Sequence, residues 1–207
     1  MSVFLPDRPP LAAILQPRHA HVVERLARAF GEAGYELSLV GGIVRDALLG
    51  FQPPVDLDFA TDAQPGQIME IGQRVDASST YDIGAKFGTI GLVFADDESG
   101  EPITVEITTY RSEHYPDESR HPEVQFGADL VADLSRRDFT INAIAVNVLT
   151  GELIDPFGGQ PDLAQAIIRA VGDPEQRFEE DPLRLLRAAR FVSQLGFMIE
   201  RNTFDAM

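Results

Sequence analysis

Leu39-Val-Gly-Gly-Ile-Val-Arg-Asp-Ala-Leu-Leu-Gly50, followed closely by Asp56-Leu-Asp58, is the stretch that decides the fold. It reads as a short strand, a glycine turn and a helix, then a second strand carrying two acids. Residues i and i+2 of a strand share one face. Asp56 and Asp58 on one face repel each other, and a divalent cation relieves that repulsion. Hard carboxylate oxygens suit Mg²⁺ or Mn²⁺. The Gly41-Gly42 turn lets the backbone approach a ligand closely. A helix opening just after it offers free N–H groups to phosphate oxygens, and Arg45 can add a two-pronged contact. Together the two halves imply chemistry on a nucleoside triphosphate. Each half also has a plainer reading, a solvated acidic loop for Asp56 and Asp58 and an Arg45–Asp46 ion pair for the helix. The GxGxxG spacing of dinucleotide sites is absent.

Working outward, Glu106 is an acid within the strand-like run Ile103-Thr-Val-Glu-Ile-Thr-Thr-Tyr110. It is the candidate third carboxylate for two ions spaced ~3.5–4 Å apart, or else an outward-facing strand residue. Asp181, Arg184, Arg187 and Arg190 recur every three residues and form one slowly turning stripe on a helix. Such a stripe is either a solvated face or a reader of bases. Cytosine and adenine both present an amino donor beside a ring-nitrogen acceptor. A carboxylate with a guanidinium matches that pattern and leaves unpaired groups against uracil and guanine. Asp181 with Arg184 could therefore select CTP and ATP, with Arg187 and Arg190 holding phosphates. In Leu134-Ser-Arg-Arg-Asp-Phe-Thr-Ile-Asn-Ala143, Arg137 is a candidate phosphate ligand and Asp138 a candidate helix cap.

Composition bounds the rest. The 207 residues have the apolar and charged content of a globular protein, with a formal charge of −16 and no cysteine. Disulfides are excluded and a cytoplasmic location is the expectation. No apolar run approaches the ~20 residues of a membrane span, and the N-terminus lacks the pattern of a signal peptide. The four histidines form no zinc spacing. Sixteen arginines stand against one lysine, Lys86. The bulk field repels a polyanion, so any grip on nucleic acid must be local or carried elsewhere.

Residues 1–16 are proline-rich and expected to be loose. Helices are expected at Pro17–Gly34, Ile43–Leu49, Pro65–Val75, Ala128–Arg136 and Leu183–Leu195, the last ended by Gly196, with a further helix from about Glu200. Strands are expected at Glu36–Val40, Asp56–Thr61, Thr89–Ala95 and Ile103–Tyr110, the last two forming a hairpin. Arg111–Gly127 reads as a polar loop. Ile141–Val148 is apolar and leads into a tight turn. Mixed elements up to about residue 170, then helices, imply an α+β domain (17–170) and the opening of a helical one (171–207).

Five blocks, GGIVRDALLG, DLDFAT, VEITTYR, RRDFTINAIA and EDPLRLLRAARF, resemble in order and register the class II tRNA nucleotidyltransferases and bacterial poly(A) polymerases, within the polymerase-β-like superfamily. They cover roughly residues 38–196. The resemblance implies a nucleotidyltransferase head on a small mixed sheet, followed by the start of an all-helical neck. It implies that Asp56 and Asp58 hold catalytic Mg²⁺ (or Mn²⁺) with Glu106 as third acid. It implies that Gly41, Gly42, Arg45 and Arg137 bind the nucleotide, that Asp181 and Arg184 read its base, and that Arg187 and Arg190 complete the pocket. The implied activity is addition of CCA to the 3′ end of tRNA from CTP and ATP, with release of pyrophosphate. Poly(A) synthesis or partial CC- or A-addition shares these head motifs. An inactive nucleotide-binding module is the alternative of a different class, opposed by the retained aspartates. The family's domains that cradle the tRNA acceptor stem would follow Met207, where the grip on RNA is expected.

Overall fold

The computed structural model describes residues 14–51, 57–84, 88–96, 100–114, 123–127 and 129–207. Helix α1 (Pro17–Glu32) opens on a proline, which lacks the N–H that a helix start leaves unpaired. Val22, Val23, Leu26, Ala27 and Phe30 recur at helical spacing and are buried. Strand β1 (Ser38–Val40) leads through Gly41 into α2 (Gly42–Leu48). Then come β2 (Leu57–Thr61), α3 (Pro65–Arg74), β3 (Ser79–Gly84), β4 (Thr89–Phe94) and β5 (Ile103–Thr109). A capping box opens α3, where the Gln67 side chain accepts from the Gln64 N–H at 2.7 Å.

β6 (Arg111–His114) and β7 (Glu123–Phe126) form a two-stranded ribbon. After them the chain runs through α4 (Leu130–Ser135), a 3-10 turn at Thr140–Asn142, β8 (Ala145–Asn147), β9 (Leu153–Ile154), α5 (Gly159–Gln165) and β10 (Ile167–Ile168). The final elements are α6 (Pro174–Glu180), α7 (Leu183–Leu195), β11 (Met198–Ile199) and α8 (Arg201–Asp205).

Seven strands build one mixed sheet in the order β3-β4-β5-β2-β1-β8-β9. Within it β2 and β5 are parallel, and the other pairs are antiparallel. The parallel pair needs a crossover, which α3 and the β3–β4 hairpin supply. Strand alternation then sets the two faces. In β5, Ile103, Val105 and Ile107 are fully buried while Glu106 between them is exposed. In β2, Leu57 and Phe59 are buried and Asp58 is exposed. These apolar side chains join α1 and α3 in the main core, where burying each aliphatic or aromatic side chain contributes about 1.5–3 kcal/mol. A smaller cluster, with Ala60, Leu130 and Leu134, covers part of the opposite face and leaves the Asp58–Glu106 region open.

The architecture is α+β with a mixed sheet, as expected. Four local expectations change. Ser79–Gly84 is a strand on the sheet's edge where none was expected. Residues 111–114 and 123–126 of the expected loop are paired, and residues 115–122 lie outside the described residues. The apolar run Ile141–Val148 divides between the 3-10 turn and β8. The last segment is not helical throughout, because β11 pairs in parallel with β10. Phe178, Ala188, Phe191 and Phe197 join the same buried cluster as Phe139, Ile141 and Leu163.

Candidate nucleotide-binding site

The open end of β1 and the start of α7 enclose a cavity of about 410 Å³. Gly41, Gly42, Arg45, Asp58, Arg137, Asp138, Asn142, Asp181, Arg184, Arg187, Arg190 and Phe191 line it. Its volume lies within the range of small-molecule sites. Four separate segments meet here, and they bring five arginines against three aspartates in a chain of charge −16. The basic patch is therefore local. Of the expected site residues, all but two line this cavity. Glu106 stands beside it, in register with Asp58 across the parallel β2–β5 pair and exposed on the same face. Asp56 lies outside the described residues.

Gly41 has φ +75°, a left-handed conformation that a β-branched residue resists. A Cβ added there would also stand 3.1 Å from Nη1 of Arg137. The turn thus lets Arg137 pack against bare backbone. Gly41→Val is expected to destabilise the protein by about 1–3 kcal/mol and to weaken nucleotide binding. Thermal unfolding and CTP titration check the two effects.

Arg137 carries a buried donor that the described residues leave unpaired. Its Nη2 donates to Asp133 Oδ2 at a long 3.4 Å, and its buried Nε has no partner among the described residues. Burial pulls its pKa below the usual arginine range, against an upward pull from Asp133. A buried guanidinium with an orphaned donor fits an anionic ligand.

Arg45 donates to Asp46 Oδ1 at 2.7 Å, so the plainer pairing does occur. It also donates to Asn142 Oδ1 at 2.7 Å. Asn142 in turn donates to Asp138 Oδ1 at 2.9 Å, and Asp138 Oδ2 accepts from Arg187 at 2.6 Å. One hydrogen-bonded chain therefore runs from α2 to α7. Asp138 does not cap a helix. Its carboxylate accepts from its neighbour's N–H, at Phe139, and from these side chains, because the 3-10 turn that follows carries no side-chain cap.

Phe191 anchors the opposite wall. The guanidinium carbons of Arg45, Arg187 and Arg190 lie 5.2, 5.5 and 5.2 Å from its ring centre, within cation–π range. Its ring meets Phe139 edge to face at 5.8 Å. Arg184 is buried and donates to the carbonyls of Arg177 and Arg136 and to Glu180, each at 3.0 Å. These bonds tie the α6–α7 corner to the segment before Asp138. Asp181 accepts from the Leu183 N–H at 3.0 Å. The stripe spaced every three residues lines the cavity, running from buried Arg184 to solvent-exposed Arg190.

Asp138, expected only as a cap, and Asn142 and Phe191 were not among the expected site residues. The signal for Asn142 is an amide close to the start of the apolar run Ile141–Val148. The signal for Phe191 is an aromatic residue four positions after Arg187, on the same side of the helix.

Comparison with known proteins adds identity to this geometry. A family model described as Poly A polymerase head domain matches residues 37–169. The CCA-adding enzyme of Bacillus subtilis is 46% identical over 177 residues, which are 85% of this chain and 41% of that protein. The CCA-adding enzyme of Enterococcus faecalis is 47% identical over 181 residues, 87% of this chain and 41% of that protein. The Bacillus stearothermophilus CCA-adding enzyme solved in complex with CTP aligns with a TM-score of 0.76 at 40% identity, over 93% of this chain and 43% of that one. The Thermotoga maritima CCA-adding enzyme complexed with tRNA aligns with a TM-score of 0.72 at 30% identity, over 93% and 42%. The chain spans about two fifths of the length of the curated relatives it matches.

Proposed function

The chain belongs to the poly A polymerase head domain family, and on that premise we propose that it is the catalytic head of a metal-dependent nucleotidyltransferase that builds the CCA end of tRNA from CTP and ATP. The observation that carries this reading is the cavity itself. It joins the Gly41-Gly42 turn, Arg45, Arg137 and the Asp181-Arg184-Arg187-Arg190 stripe beside Asp58. Relatives of the same name were solved with CTP and with ATP, which supports the choice of nucleotides. Residues 17–170 are the head and 171–207 the opening of the neck. The cytoplasm is the proposed compartment, on the absence of cysteine. No helix among the described residues is long and apolar enough to cross a membrane.

The donor set at Asp58 fits a hard divalent cation. Asp58 and Glu106 place carboxylates side by side on an open face, and Asp56 would be the third. Among the described residues no group of three such side chains occurs. Asp56, Asp58 and Glu106 would hold Mg²⁺, or Mn²⁺, which when bound supplies charge neutralisation to the attacking and leaving oxygens. The protein's own part is binding and orientation. Arg45, Arg137, Arg187 and Arg190 hold the triphosphate. Asp181 and Arg184 read the base edge, and the bonds that fix Arg184 make it a rigid donor. The RNA 3′-hydroxyl attacks the α-phosphorus, a new P–O bond forms, and the bond to pyrophosphate breaks.

The test supplies CTP and ATP singly and together to the full-length protein with tRNA lacking its CCA end. The expected result is two C residues from CTP alone, nothing from ATP alone, and one A after the two C residues. Growth of A on arbitrary RNA from ATP alone would establish poly(A) synthesis instead. Nucleotide binding without any transfer would leave a binding module.

A further inference from the structure

Four residues lie in one row across the sheet, each in register with the next. Asp58 pairs with Glu106, Glu106 with Gly91, and Gly91 with Tyr81. Residues in register share a face, so all four look out on the side that carries the carboxylates. Tyr81 is 40% exposed. The far half of its ring lies on Gly91, since a Cβ there would fall 2.6 and 2.7 Å from its two Cε atoms and onto Cζ. The ring therefore reaches across β4 towards β5, with its hydroxyl end on the Glu106 side. Gly91 is what permits this, because any side chain at that position would occupy the same space.

The row has a direction. The nucleotide cavity opens on the β1 side of Asp58, where Gly41 and Gly42 follow β1. Tyr81 stands on the other side, beyond Glu106. In-line phosphoryl transfer brings the attacking oxygen in opposite the leaving group. With the nucleotide on the β1 side, the acceptor must approach from the side it leaves open, over β5 and β4. Tyr81 is an exposed aromatic ring on that side, and stacking of a base on such a ring needs no charge and tolerates any base.

We propose that Tyr81, laid over Gly91, is the stacking platform for the 3′-terminal base of the acceptor RNA and places that nucleotide's hydroxyl beside Asp58 and Glu106. This rests on the nucleotidyl-transfer reading and deepens it. Tyr81 is a positioning residue, since it touches the acceptor base and not the reacting atoms.

The test uses the full-length protein with tRNA lacking its CCA end. Tyr81→Ala is expected to raise the KM for RNA roughly tenfold, the stacking loss for one base, with the KM for CTP unchanged. Tyr81→Phe keeps the ring and stays near wild type. Gly91→Val keeps Tyr81 but displaces its ring, and should copy Tyr81→Ala. An acceptor ending in 2-aminopurine gives a reading independent of turnover. Its fluorescence should be quenched on binding by the unsubstituted protein and by Tyr81→Phe, and quenched less by Tyr81→Ala and Gly91→Val. If the unsubstituted protein transfers no nucleotide, the proposed function fails and the platform with it. If transfer is intact but neither Tyr81→Ala nor Gly91→Val changes the RNA KM or the quenching, the platform alone is wrong. An equal rise in the CTP KM would also overturn it, as a general distortion of the sheet.

Discussion

Asp58→Ala is expected to lower nucleotide transfer by roughly a thousandfold or more while CTP binding changes only a few-fold. The charge stabilisation that a metal carboxylate supports is worth several kcal/mol in the transition state, and each 1.36 kcal/mol is a factor of ten. The ground state is different. On the proposed reading triphosphate binding rests on the arginines around Phe191 and on Arg137, none of which Asp58→Ala removes. Stability should hardly move, because Asp58 is exposed on its strand while Leu57 and Phe59 carry the burial. Asp58→Asn, which keeps the shape and removes the charge, should behave the same way. Single-turnover transfer and CTP titration on the same preparation separate the two effects. Full turnover in Asp58→Ala would remove the carboxylates from the chemistry.

What was legible in the sequence, and what was not, follows from where the determining contacts lie. The strand Ile103–Thr109 could be read directly because its alternation is enforced by one buried face, and the same alternation turns Glu106 outward beside Asp58. The convergence of the Gly41 turn, Arg137 and the Asp181–Arg190 stripe was implied by the family resemblance of the blocks that carry them, whereas each taken alone also had a plain structural reading. The β3 strand was not legible. Ser79-Thr-Tyr-Asp-Ile-Gly84 lies at the sheet's edge and lacks the clean alternation that a strand with one buried face shows. The Arg111–His114 and Glu123–Phe126 pairing was hidden for a related reason: a two-stranded ribbon has little core to demand apolar side chains. Tyr81 over Gly91 and Asn142 between Arg45 and Asp138 depend on neighbours that only the folded chain brings together.

Asp138→Ala is the second large expected effect, and it should appear in stability and in nucleotide affinity at once. The Asp138 carboxylate is buried and accepts from the Phe139 N–H at 2.8 Å, from Asn142 at 2.9 Å and from Arg187 at 2.6 Å. The Arg187 side chain is 43% exposed, so solvent screens that ion pair and its share is about 1 kcal/mol or less. The larger share comes from the two buried donors, which lose their acceptor and whose desolvation is then uncompensated. The expected cost is about 3 kcal/mol, or a fall in Tm of about 6–12 °C for a chain of this size. Asn142 would then no longer be held against Arg45, and Arg187 would lose its orientation, so CTP affinity should fall about tenfold. Asp138→Asn can keep the acceptor for Phe139 and Asn142 while losing the charge towards Arg187, and should fall between the two. A double-mutant cycle with Arg187→Ala decides whether the chain of bonds acts as a unit. Non-additive losses in CTP affinity are expected, since each substitution releases the same arginine. Additive losses, or an Asp138→Ala protein that melts like the wild type, would mean that Arg45 and Arg187 are placed by their contacts with Phe191 and not by the carboxylate between them.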